Sequence, residues 1–139
     1  MNDPVGGGPV VLVIDDDAAN RQLLNVLLRR EGIVAICTET GAEGFARART
    51  QLPDLILLDV FLPGEDGFEL LTEIKADPDL ARVPVVMFTI LGQENGRQRA
   101  LELGACAYVV KPFDMNLTVT LIRRLLTGEI RCTEVEGDW

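Results

Sequence analysis

The chain contains no histidine and no serine among its 139 residues. Those two absences remove Ser-His triads, Cys-His pairs, histidine metal sites and any phosphohistidine formed on this chain. Lysine is nearly missing, with Lys75 and Lys111 set against eleven arginines. Basic charge is short overall: 13 Lys and Arg face 22 Asp and Glu, for a net charge of −9. A pI near 4.4 argues against nucleic acid or an anionic membrane as a direct partner. No apolar run reaches the roughly 20 residues that a membrane helix needs. The start, "MNDPVGGGP", has neither the basic nor the apolar part of a signal peptide, so a cytoplasmic location is expected. Its three glycines precede no Gly-Lys-Thr and make no phosphate loop. Cysteine is scarce too. Cys37, Cys106 and Cys132 are odd in number and scattered, with neither a disulfide framework nor a metal spacing, so three unrelated reduced thiols are expected.

What is present is a strict alternation. Apolar runs at 10–14, 33–38, 54–58, 84–89 and 107–110 read as strands. Amphipathic stretches lie between them. Asn20, Leu23, Leu24, Leu27 and Leu28 share one stripe. Thr40 and Glu43 fit a capping box opening a helix to about Gln51, and Asp66 and Glu69 resemble another, with Phe68, Leu71 and Ile74 on one face. A fourth helix is predicted from about Glu94 to Leu103, stopped by Gly104, and a fifth from about Asp114 to Thr127. Five such units imply an α/β domain, a five-stranded parallel sheet wound with helices on both faces. Residues 1–9 read as a flexible N-terminal tail, 10–127 as the folded domain and 128–139 as a C-terminal tail.

In such sheets functional groups collect beyond the carboxyl ends of the strands. The first strand runs into Asp15, Asp16 and Asp17; the third ends at Asp59, the fourth at Thr89 and the fifth at Lys111 and Pro112. Asp17 is explained as the N-cap of the next helix. One cap suffices, so Asp15 and Asp16 need another reason, as does Asp59, because the better cap after it is Asp66. Thr89 alone would be ordinary strand propensity, and Lys111 alone a surface lysine. Together they form a set of carboxylates, a hydroxyl and one ammonium. An oxygen-only set suits a hard cation such as Mg2+ or Mn2+, and the ensemble suits a transferring phosphoryl group.

The stretches "VLVIDDD", "PDLILLDVFLPGEDGFELL", "VPVVMFT", "ALELGA" and "YVVKPFD" resemble the receiver domain of two-component response regulators, the chemotaxis-regulator (CheY-like) type. The resemblance covers about residues 10–127. It implies a flavodoxin-like (βα)5 fold with strand order 2-1-3-4-5, and a phosphoaccepting signalling domain rather than an enzyme with its own substrate. It implies that Asp59 is the phosphoacceptor, receiving the group from a phosphohistidine of a histidine kinase or phosphotransfer protein. Asp16, Asp59 and the backbone carbonyl of Phe61 would bind Mg2+ directly, and Asp15 through a metal-bound water. Thr89 and Lys111 would hold the phosphoryl group, Tyr108 would be the aromatic switch, and the bond before Pro112 would be cis. The output would be a face formed by the fourth helix, fifth strand and fifth helix, acting on an unknown downstream protein. Leu117, Leu121 and Leu125 form one stripe of that fifth helix, and Val119, Ile122 and Leu126 a second, which makes either a partner patch or a wide core face.

The sequence departs from the family pattern in places. Ile90 stands where a small residue is usual. In the family, the side chains two residues after the phosphoacceptor and two after the Thr flank the approach of water to the phosphorus. Here the resemblance puts Phe61 and Leu91 there, neither able to orient a water, so slow hydrolysis of the acyl phosphate is expected. "GACAY" puts Cys106 and Ala107 where dimeric DNA-binding subfamilies carry acids, which favours a monomer or a weak phosphorylation-dependent dimer. The ending "EVEGDW" favours a stand-alone receiver. Two rivals remain at this point: an aspartate-nucleophile phosphatase of the haloacid dehalogenase type, using Asp15 and Asp17, and a pseudo-receiver that binds partners without phosphate. Ala19, where that phosphatase normally has Thr or Val, speaks against the first, and the intact Asp59, Thr89 and Lys111 against the second.

Overall fold

The computed structural model describes residues 7–89, 96–110 and 114–135. The apolar runs become β1 (Val10–Ile14), β2 (Val34–Thr38), β3 (Leu55–Asp59), β6 (Val85–Thr89) and β7 (Ala107–Val110). A two-residue-per-arm hairpin, β4 (Phe61–Leu62) and β5 (Glu65–Asp66), follows β3. The five long strands are all parallel and hydrogen-bond in the order β2-β1-β3-β6-β7. Counted among sheet strands alone, this is the expected 2-1-3-4-5.

Side chains alternate across the sheet, so each strand feeds two cores. Leu12, Ile14, Ile56, Leu58 and Met87 face one side with Phe68, Leu71, Ile74 and Ala100. Val11, Val13, Leu55, Leu57, Val86 and Phe88 face the other, with Leu24, Leu28, Val119, Leu121 and Ile122. The first layer lies under α2 (Gly41–Gln51), α3 (Gly67–Ala76) and α4 (Gly96–Glu102), and the second under α1 (Ala18–Arg30) and α5 (Met115–Leu126). Each fully buried aliphatic side chain contributes roughly 1.5–3 kcal/mol.

The helices start where their caps dictate. Asp17 accepts from the backbone N–H groups of Ala19 and Asn20, Asp66 from Phe68, and Asp114 from Asn116 and Leu117. Thr40 accepts from Glu43 at 3.1 Å, but the Glu43 carboxylate returns to the N–H of Glu39 and not to that of Thr40. The described part of the fourth helix begins at Gly96, and residues 90–95 lie outside the described residues. The wide-core reading of α5 holds: Leu125 and Leu126 pack on the core beside Val119, Leu121 and Ile122, and only Leu117 stands out, half exposed.

The thiol expectation is corrected. Cys106 and Cys132 form a disulfide across 26 residues, with Cα atoms 4.7 Å apart, and Cys37 is the free cysteine. The spacing in the chain held no hint of this, because α5 carries residues 128–135 back to the head of β7. A short 3-10 turn (Cys132–Glu134) lies there, and Ile130 and Val135 pack against the second core. No described helix is long and apolar enough to cross a membrane.

Candidate functional site

Parallel strands of matched register deliver their last residues to one end of the sheet. Ile14 pairs with Leu58, so Asp15 and Asp59 occupy the next positions on neighbouring strands. Asp59 itself pairs with Phe88, one residue before Thr89. The result is a cluster: an oxygen from each of Asp15, Asp16 and Asp59 lies within 4.8 Å of the others. Asp15 and Asp59 are buried, and Asp16 is exposed and faces solvent.

Local structure holds these carboxylates. One oxygen of Asp15 accepts from the Asp17 N–H at 3.0 Å, the other from the Asn20 amide at 3.2 Å. The Asp15 N–H donates to the Thr38 carbonyl at 3.1 Å. Asp59 accepts from the N–H of Phe61 at 3.0 Å. Gly67 packs against the backbone behind it: a Cβ there would stand 2.6 Å from the Asp59 carbonyl oxygen and 2.7 Å from the Cα of Val60. Only glycine permits that approach, and it lets the Gly67 N–H reach the Val60 carbonyl at 2.9 Å.

A fixed cation does sit by the acids. The guanidinium of Arg21 donates to the Asp15 backbone carbonyl at 2.6 Å. Sequence reasoning missed Arg21, Asn20 and Gly67. In the sequence Asn20 reads as part of the stripe of α1, and its position in the first helical turn after the acids is the signal for its role. Arg21 also draws the Cys37 thiol downward. Burial outweighs that pull, and the thiol ends above its ordinary value.

Of the other expected site residues, Thr89 is fully buried at the end of β6 and pairs with Val110. Tyr108 is buried as well, with the Arg97 guanidinium 5.7 Å from its ring centre. Phe61 is nearly half exposed beside Asp59. Lys111 and Pro112, together with Ile90 and Leu91, lie outside the described residues. The structure therefore brings together Asp15, Asp16, Asp59 and Phe61, with Thr89 one residue beyond the partner of Asp59.

The donor set fits a small hard cation. It offers carboxylate oxygens only, with neither nitrogen nor sulfur. Adjacent ligands of an octahedral Mg2+ stand about 3 Å apart at bonds of ~2.1 Å, and these oxygens lie within 4.8 Å of one another, close enough to share one ion or the waters it carries.

Known proteins share the family and the fold of this chain. The response regulator receiver domain family matches residues 11–123. The chain is 36% identical over 138 residues to the phosphate regulon transcriptional regulatory protein PhoB of Rhizobium meliloti, covering 94% of this chain and 61% of that protein. It is 36% identical over 132 residues to the response regulator PleD of Caulobacter vibrioides, covering 91% of this chain and 29% of that one. It thus spans less than two thirds of either relative. The chemotaxis protein CheY4 of Vibrio cholerae superposes with a TM-score of 0.78 at 26% identity, over 84% of this chain and 98% of that one.

Proposed function

We propose the following for a chain that belongs to the response regulator receiver domain family: Asp59 takes a phosphoryl group from a phosphohistidine of a histidine kinase or phosphotransfer protein. An Asp59 oxygen attacks the phosphorus in line, the phosphorus–nitrogen bond breaks, and the departing imidazole nitrogen takes up a proton. The observation that carries this reading is the cluster itself, a buried Asp59 held beside Asp15 and Asp16 with ligand atoms within 4.8 Å. Two buried acids and a third exposed one are kept together at a cost in repulsion, which a bound cation offsets.

Asp16, Asp59 and the Phe61 carbonyl would hold Mg2+ (or Mn2+), and Asp15, pinned by Asn20, would hold a water of its shell. Bound there, the ion supplies neutralisation of the charge shared between the carboxylate and phosphoryl oxygens. Lys111 and Thr89 are assigned to the phosphoryl oxygens. The modified Asp59 carries roughly one more negative charge and new acceptor oxygens. Movement of Thr89 toward them would bias the surface around Tyr108, whose buried ring accompanies that state. The output is a protein contact, not direct nucleic-acid binding, as the net charge of −9 favours. The setting is cytoplasmic. Phe61, exposed beside Asp59, offers no group to orient an attacking water, so the phosphoryl group should persist.

Incubation with acetyl phosphate and Mg2+, followed by borohydride trapping and peptide mass spectrometry, should place the adduct on Asp59. Asp59→Asn should abolish it. An adduct on Asp15 instead would identify a phosphatase-type nucleophile and defeat the proposal.

A further inference from the structure

The hairpin β4–β5 carries Phe61, yet it has only two bridging residue pairs, Phe61 with Asp66 and Leu62 with Glu65. A ribbon of that size has little stability of its own. Its inner edge is fixed by the buried Leu62 and by the Gly67 N–H on the Val60 carbonyl. On its outer arm the Asp66 side chain caps the N–H of Phe68 at the start of α3, and Glu65 reaches a second helix. The Glu65 carboxylate accepts from the N–H groups of Gly41 and Ala42 at 2.8 and 3.0 Å, one oxygen to each. Those are the first two residues of α2, more than twenty positions away in the chain. Thr40 already caps the N–H of Glu43, so Glu65 completes the helix start from outside. Both bonds are charge-assisted and the carboxylate meets the positive end of the helix dipole. Gly41 is part of the fit: a Cβ there would stand 2.5 Å from the Glu65 oxygen Oε2.

We infer that Glu65 is a positioning residue for the metal site, clamping the hairpin to α2 so that the Phe61 carbonyl stands where an ion between Asp16 and Asp59 can use it. This rests on the reading of the site given under Proposed function. Glu65 touches neither the ion nor the phosphoryl group; it acts through the backbone from 61 to 66.

Three variants test the clamp. Glu65→Ala removes it. Gly41→Ala keeps Glu65 but drives its carboxylate away. Thr40→Ala weakens the same helix start without touching the hairpin. Free Mn2+ is followed by electron paramagnetic resonance during titration, with Mg2+ as competitor, and amide exchange at residues 60–66 is measured without metal. Glu65→Ala and Gly41→Ala should weaken Mn2+ binding roughly tenfold, the low end for groups that orient metal ligands, and should speed exchange across the hairpin. Glu65→Gln, which keeps one acceptor, should fall between. Thr40→Ala should lower the melting temperature and leave Mn2+ binding and hairpin exchange unchanged. Wild-type affinity or unchanged hairpin exchange in Glu65→Ala would overturn the inference and leave Glu65 as a helix cap only. A wild-type protein that binds no Mn2+, or binds it equally after Asp16→Asn, would overturn the reading of the site and this inference with it. Faster hairpin exchange in the metal-free variants would still be seen in that case, so the two failures can be told apart.

Discussion

The two ends of the sheet follow opposite rules. At the amino end, charges and strand starts are tied off. Asp54 accepts from the Val10 N–H at 2.7 Å, Arg49 pairs with the buried Asp77, and Lys75 donates to the carbonyls of Ala81 and Val83. The Cys106–Cys132 bond closes the same end at β7. At the carboxyl end, three acids are gathered within 4.8 Å of one another. The same strands supply both ends with the same apolar packing. The difference teaches that charges are paired off at one end of the sheet and like charges gathered at the other, where a bound cation would offset their repulsion.

Four measurements break or sharpen that contrast. The largest effect is expected at the amino end. Cys132→Ala, compared with oxidised wild type, should lose roughly 3–4 kcal/mol in denaturant unfolding, the chain-entropy value for a loop of this length; the bridged residues are 26 apart. Phosphoryl uptake on Asp59 should not change, and wild type in reductant should match the variant. Loss of uptake on reduction would show that the two ends are not separable.

Next comes the carboxyl end. Mg2+ at about a hundred times its Kd should stabilise wild type by roughly 2.7 kcal/mol by mass action. Asp16→Asn should abolish most of that shift and, by removing one like charge from the cluster, leave the metal-free protein no less stable. Equal Mg2+-induced shifts in both proteins would count against the site.

Asp54→Ala tests one amino-end tie alone. The cost should be about 1 kcal/mol, that of a single hydrogen bond, with uptake unaffected. The smallest effect concerns Cys37. Burial raises its thiol above the ordinary value against the weaker pull of Arg21 and Arg29. A raised value means less thiolate at pH 8, so alkylation in the native protein should be slower than in urea and should still be climbing above pH 9. As pH rises past the unfolded thiol's value, the unfolded chain ionises first and the contribution of Cys37 to stability falls. Native and unfolded alkylation rates that coincide would refute the burial argument.

Much of this protein is legible in its sequence. All five sheet strands begin and end within one residue of the apolar runs that announced them, and the caps at Asp17, Thr40, Asp66 and Asp114 sit where their residue types place them. The acids were legible too, because Asp15, Asp16 and Asp59 follow buried strands and parallel strands share one carboxyl end. These are signals carried by neighbours in the chain. The Cys106–Cys132 bond, the reach of Glu65 to α2 and the contact of Arg21 with the Asp15 carbonyl were not legible. Such contacts depend on how helices return across the sheet and at what height their ends arrive. Hydrophobic periodicity sets which face of a strand or helix is buried, and so determines the fold and the end at which chemistry collects. It does not set the distance between two polar side chains on different elements. Packing of the finished cores decides that, to within the angstrom or less on which a hydrogen bond or a disulfide depends.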